Sequence, residues 1–238
     1  MVKSVLLTRQ EEDIERDRKL FERYGFCVVS MPMIRTVPLD FQPPREMDVV
    51  VFQSTKAVKY FLEKTSLPEG VKVVAVGEKT QSALEERGIQ VNLVPEESSA
   101  EGIVGAMPHG KGETVLIPRS REGRMEAVEG LRKKGYRVIT LNVYSTEIVI
   151  YKPSEVEEAL KKVGFVVFAS PSAVKGFFAN LQKGRAMDML KDIVVVAIGK
   201  TTKKSLTERG VRVGFVPSRP LMEEVVGKIH EIWQRSCI

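Results

Sequence analysis

Eight small residues stand where an open α/β sheet does its chemistry: Ser54, Gly77, Thr80, Ser170, Ser172, Gly199, Thr201 and Thr202. Each follows a short apolar run and opens a helical pattern, which places it at the carboxyl end of a predicted strand. There the first N–H groups of the next helix are unpaired and attract anions. Hydroxyls and glycine backbone at such points can hold carboxylates. For any one of these residues helix capping is an equally good explanation. Their recurrence at four strand ends, two in each half, favours a ligand. Arg9, Arg119 and Arg124 lie at or just past strand ends, where a guanidinium can clamp a carboxylate, although each alone also reads as a surface charge. Tyr144 falls in a long extended run, so its ring need not be core and its phenol can face a cleft.

The elements that position these residues occur twice. Val49-Val-Val-Phe-Gln-Ser54 with its helix is repeated by Phe165-Val-Val-Phe-Ala-Ser170, each a buried strand running into a tight turn and a helix N-terminus. Val5-Leu-Leu-Thr-Arg9, followed by a helix closed by Gly25, is repeated by Val115-Leu-Ile-Pro-Arg119 and Gly135. Val73-Val-Ala-Val-Gly-Glu-Lys-Thr80 is answered by Val194-Val-Val-Ala-Ile-Gly-Lys-Thr-Thr202. A strand is also expected over 91–94, and Gly88-Ile-Gln-Val91 before it is repeated by Gly210-Val-Arg-Val213. Capping boxes are expected at Ser98/Glu101 and Ser154/Glu157, and Pro220 as the first residue of the closing helix. The sum is a duplicated α/β fold with parallel sheets flanked by helices.

Two overlong extended runs, 26–39 and 136–150, decide how the units group. Two continuous domains are one possibility. The long runs favour the other: residues 1–36 and 150–238 form a discontinuous lobe and residues 40–145 a second, similar one. The two are joined by a two-stranded β tether near 35–39 and 144–150, narrow enough to act as a hinge.

Composition excludes several classes. The 238 residues are 43% hydrophobic and 29% charged, as in a soluble globular chain. No apolar run approaches a membrane span and no signal-peptide core opens the chain, so a cytoplasmic protein is expected. Cys27, Cys237, His109 and His230 are too few and scattered for disulfides or a zinc site. No metal and no cofactor is expected. The stretch Gly105-Ala-Met-Pro-His-Gly-Lys-Gly112 approaches a phosphate-binding loop but ends in glycine where a hydroxyl is required and follows a helix instead of a strand. The net charge of +6 is interspersed with acids, so a small polyanion fits as well as nucleic acid; a nucleic-acid binder would need a clustered positive face with stacking aromatics, and the single Trp233 sits beside acidic residues.

The ordered set of Val5–Arg9, Phe52–Ser54, Ala75–Gly77 with Thr80, Val94-Pro95, Ala100–Gly102, Leu116–Arg119, Val143-Tyr144, Ser170–Val174 and Ala197–Thr202 resembles the uroporphyrinogen-III synthase family over essentially the whole chain. Gln53 and Ala169 stand where the family often has threonine. The resemblance implies a cyclising hydro-lyase of heme and other tetrapyrrole biosynthesis. Its substrate is hydroxymethylbilane, closed with inversion of ring D. Loss of the terminal hydroxyl gives an azafulvene, and the substituted carbon of ring D attacks to form a spiro intermediate, which fragments and recloses. The resemblance also implies a cofactor-free monomer, in transient contact with the preceding pathway enzyme. It makes Tyr144 and Thr80 the catalytic candidates. Arg9, Ser54, Gly77, Arg119, Arg124, Ser170, Pro171, Ser172, Gly199, Thr201 and Thr202 become the substrate-binding ones. A two-lobed sensor of a small anion, with no chemistry, would share this architecture.

Overall fold

A computed structural model describes residues 2–236. In chain order, β1 (Ser4–Leu7), α1 (Glu11–Arg23), β2 (Cys27–Ser30) and β3 (Ile34–Pro38) lead to β4 (Val49–Phe52), α2 (Thr55–Leu62), β5 (Lys72–Ala75), α3 (Glu78–Glu85) and α4 (Ala100–Ala106). Next come β6 (Thr114–Ser120), α5 (Glu126–Lys133), β7 (Arg137–Ile148), α6 (Pro153–Lys161), β8 (Phe165–Phe168) and α7 (Pro171–Asn180). The chain continues with α8 (Lys183–Leu190), β9 (Val194–Ala197), α9 (Lys200–Thr207) and α10 (Met222–Arg235). It divides into two compact units. One combines the chain up to Arg35 with the chain from Glu147; the other is Thr36–Thr146.

In the first unit a four-stranded sheet runs in the order β2-β1-β8-β9, parallel throughout. The short apolar strands bury both faces, as parallel sheets must. Alternation divides their side chains between two helical layers. Val5, Leu7, Phe165 and Val167 pack with Ile14 and Phe21 of α1 and Val225, Val226 and Ile229 of α10. Leu6, Val166 and Phe168 pack with α6, α7, α8 and α9 through Leu160, Phe177, Ala186 and Leu206.

The second unit repeats the plan in a five-stranded sheet, β3-β7-β6-β4-β5. Val50 and Phe52 face α2 and α3, while Val49 and Val51 face α4 and α5. Here β7, β6, β4 and β5 occupy the places of β2, β1, β8 and β9. Gly25 after α1 and Gly135 after α5, with φ of 75° and 94°, end the matching helices in the left-handed conformation that glycine alone adopts without strain. Strand β3 lies along β7, with Leu39 N donating to Val143 O and Val149 N to Met33 O. One partner's number rises as the other's falls, so this pair is antiparallel.

Several local expectations shift. Ser99, not Ser98, caps α4, accepting from Gly102 N at 2.9 Å. Helix α6 starts two residues earlier than the Ser154/Glu157 box requires, with Glu155 Oε2 accepting from Lys152 N. Pro220 precedes α10 by two residues instead of opening it. The strand expected over 91–94 is reduced to a single bridge, Val74 to Leu93, and a matching bridge joins Val196 to Phe215, each on the outer edge of its sheet. No helix among the described residues is long and apolar enough to cross a membrane.

Candidate functional site

In the second unit Ser54 is the N-cap of α2, its Oγ accepting from Ala57 N at 3.1 Å. That bond uses one oxygen lone pair and leaves Ser54 Oγ a second lone pair and its proton for another partner. The partner is Tyr144, whose phenol oxygen is hydrogen-bonded to Ser54. Tyr144 is 8% exposed and packs in the α2-facing core, which corrects the expectation of a ring outside the core. The cause is a bulge. Arg119 pairs with Asn142 but Ser120 with Tyr144, so Val143 is an extra residue in β7. Strict alternation would send Val143 and Tyr144 to opposite faces; the extra residue brings both to the α2 side. Their carbonyls remain satisfied, Val143 O by Leu39 N and Tyr144 O by Arg121 N.

The Tyr144 ring stacks on Tyr60 of α2, with centroids 5.3 Å apart and planes at 28°. Tyr60 Oη lies 2.8 Å from Thr36 Oγ1 and donates to Thr36 O at 3.2 Å. Burial pushes the Tyr144 phenol above its ordinary pKa, with the Ser54 bond opposing and the Glu122 and Tyr60 charges adding to the rise. Glu122 is itself held by Ser120 Oγ at 2.7 Å and Thr146 N at 3.1 Å. The phenol is therefore a proton donor, not a base, at neutral pH.

Other candidates divide by what they touch. Thr80 is 4% exposed in the first turn of α3, after Gly77. Gly77 has extended backbone open to any residue, but a Cβ there would meet Ser98 Oγ at 2.3 Å. Its glycine identity thus has a packing reason. Arg119 is buried, its Nη groups directed to Met125 Sδ and Gly123 O and its Nε without a protein partner. Arg124 is exposed in the turn before α5.

In the first unit Ser170 caps α7 through Ala173 N at 3.1 Å, with Pro171 opening the helix and Ser172 exposed beside it. Gly199 precedes α9, whose first turn carries exposed Thr201 and buried Thr202. The first turns of α7 and α9 hold no acidic residue, which keeps both helix ends open to anions. Arg9 is turned back onto α1, bonded to Asp17 at 2.7 Å and near Asp13 at 3.4 Å. Its charge is already engaged by carboxylates of the protein.

Sequence reasoning missed Tyr60, Thr36 and Glu122. A signal existed for the first. In the repeated stretch Ala57, Val58, Lys59 and Phe61 each meet the same residue in the other copy, but Tyr60 aligns with Gly176. The loop resembling a phosphate cradle spends its amides on the protein: Gly110 N donates to Lys134 O and Gly112 N to Gly135 O. No group of three or more His, Cys, Asp or Glu residues that could hold a metal occurs among the described residues. His230 is half-buried against Tyr24 and Phe26.

The sequence profile described as "Uroporphyrinogen-III synthase HemD" matches residues 15–227. The uroporphyrinogen-III synthase of Chlorobaculum parvum is 25% identical, over 91% of this chain and 93% of its own. The solved uroporphyrinogen-III synthetase of Helicobacter pylori shares the fold at a TM-score of 0.70, with 16% identity, covering 96% of this chain and 99% of that one. A mutant uroporphyrinogen III synthase from Thermus thermophilus does so at 0.65, with 19% identity, covering 98% and 99%. The chain belongs to the uroporphyrinogen-III synthase family, enzymes of tetrapyrrole biosynthesis.

Proposed function

We propose that this chain closes hydroxymethylbilane to uroporphyrinogen III and water, with Tyr144 donating a proton to the departing hydroxyl. The observation that carries the reading is the placement of that phenol, buried against α2 and hydrogen-bonded to the serine that caps the helix. Ala57 N donates to Ser54 Oγ, Ser54 is bonded in turn to Tyr144 Oη, and burial keeps the phenol protonated, so it has a proton to give. The relay starts at the first turn of α2, where the helix dipole favours charge developing on the oxygen.

The remaining chemistry asks little of the protein. Pyrrole nitrogen pushes out the protonated hydroxyl as water, leaving the azafulvene. The substituted carbon of ring D attacks it, and the spiro intermediate fragments and recloses with ring D inverted. The protein's task is to hold one attack geometry. Ser170, Ser172 and Thr201 with the open ends of α7 and α9 suit carboxylates of the substrate, as does Arg124 in the other unit. In this reading the enzyme is a cytoplasmic monomer. It takes the bilane from the preceding enzyme by transient contact, because free bilane closes unaided to isomer I.

The decisive assay incubates the protein with hydroxymethylbilane and separates the isomers. Isomer III at rates above the blank supports the reading; isomer I alone, with binding retained, would leave a sensor. Full activity is expected to survive exhaustive dialysis against a chelator, and activity restored only by added metal would contradict the reading. The raised Tyr144 pKa gives a further check. Since the protonated phenol is the active form, its loss should fall above the usual tyrosine range, at pH values above about 10. An alkaline limb in kcat centred below about pH 9 that disappears in Tyr144→Phe would refute the donor role.

A further inference from the structure

We propose that Tyr60 is a positioning residue for the reaction, holding the Tyr144 phenol in its donating orientation, with Thr36 as the anchor. The inference rests on the reading of Tyr144 as the proton donor. Ser54 fixes only the oxygen end of that side chain. A ring tied at one atom can still swing about its bonds, and the direction of the O–H swings with it. Tyr60 supplies the missing constraint by stacking on the ring face, 5.3 Å centroid to centroid at 28°. Tyr60 is in turn fixed at its far end by two contacts with Thr36, at 2.8 Å and 3.2 Å. Both rings are 8% exposed, so neither has water to move into.

The internal duplication argues that the fold does not require this tyrosine. Helix α7, the counterpart of α2, carries Gly176 at the matching position, and a Cβ there would meet Met33 O at 2.4 Å. One copy thus closes the helix onto backbone, and the other spends the same position on a ring laid against Tyr144. The stretch around Tyr60 and Gly176 is otherwise closely matched in the two copies, with Ala57, Val58, Lys59 and Phe61 answering Ala173, Val174, Lys175 and Phe177. The difference between the copies therefore coincides with the presence of the phenol.

The test measures kcat, KM and the isomer ratio for Tyr60→Leu and Tyr60→Phe, each in wild-type and Tyr144→Phe backgrounds. Tyr60→Leu should lower kcat about tenfold with KM nearly unchanged and raise the share of isomer I. Tyr60→Phe, which keeps the stack and loses the Thr36 anchor, should fall between Leu and wild type. In the Tyr144→Phe background Tyr60→Leu should cost nothing more, because the group it positions is gone. Equal losses in both backgrounds, or unchanged kcat in Tyr60→Leu, would overturn the proposal while leaving the Tyr144 reading intact. Wild-type behaviour of Tyr144→Phe alone would instead remove the premise. If Tyr60→Leu does not fold, the Tyr60→Phe pair decides the matter by the same comparison.

Discussion

Tyr144→Phe should slow production of uroporphyrinogen III about a hundredfold and move the product mixture toward isomer I. General acids contribute roughly a hundredfold to ten-thousandfold. The lower end applies here, since an electron-rich pyrrole already expels hydroxide readily. The phenylalanine keeps the stack on Tyr60 and loses one hydrogen bond to Ser54, which is worth about 1 kcal/mol. For a chain of this length that corresponds to a fall in Tm of about 2–4 °C. Rate and stability are thus separable in one variant. Unassisted closure continues while catalysis slows, so the isomer ratio registers the defect independently of enzyme concentration. Thr80→Val removes a hydroxyl from the first turn of α3 at nearly constant shape and should have a smaller effect. Wild-type rate and isomer ratio in Tyr144→Phe would reduce Tyr144 to a packing residue of the α2 face.

Gly176→Ala should be the most damaging single methyl in the molecule's repeated stretch. The added carbon would sit 2.4 Å from Met33 O and 3.0 Å from Met33 Cβ, and the first of these is backbone that cannot rotate away. Overpacking of this kind costs about 1–3 kcal/mol, or roughly 2–12 °C in Tm at this size. The α7 helix would have to move outward, and Ser170 at its start would move with it. Asn180 at its other end would strain its bonds to Tyr151 N at 2.7 Å and Val149 O at 2.9 Å. Loss of isomer III should therefore accompany loss of stability, as a rise in KM. The matched change Tyr60→Ala does not create this clash. A Gly176→Ala protein with unchanged Tm and KM would show that the helix can shift at no cost.

The duplication was legible because strand and helix periods survive even where individual residues differ. Copies such as Val49–Ser54 and Phe165–Ser170 are recognisable from a buried four-residue run and a capping serine alone. Parallel sheets followed from the same runs, buried on both faces. What escaped was geometry that leaves no trace in local pattern. The extra residue in β7 is one, since nothing in Asn142-Val-Tyr144 announces a bulge. Its consequence was a misjudged Tyr144: the sequence separation from the core strands gave no reason to bury it. Helix α8 was another omission, because Gly184 and scattered charges weaken its helical signal. Among the candidate residues, position along the chain was readable and partner was not. Arg9 illustrates this: it stands at a strand end as expected, yet two aspartates one and two turns along α1 hold its guanidinium.

The order in which the chain visits its sheets has a consequence for synthesis. Thr36–Thr146 is contiguous, and its strands pair within a span of about a hundred residues. By contrast β1, besides its neighbour β2, pairs with β8, Val5 with Phe165, so its second neighbour is made only about 160 residues later. At a typical elongation rate of roughly 5–20 residues per second that wait is about 8–30 s. During it Val5, Leu6 and Leu7, which are wholly buried in the finished protein, have only α1 and β2 for cover. The central unit has time to fold completely before the outer one can begin to close. A nascent chain arrested after residue 146 should consequently resist protease over its central segment while its first 35 residues are still cut.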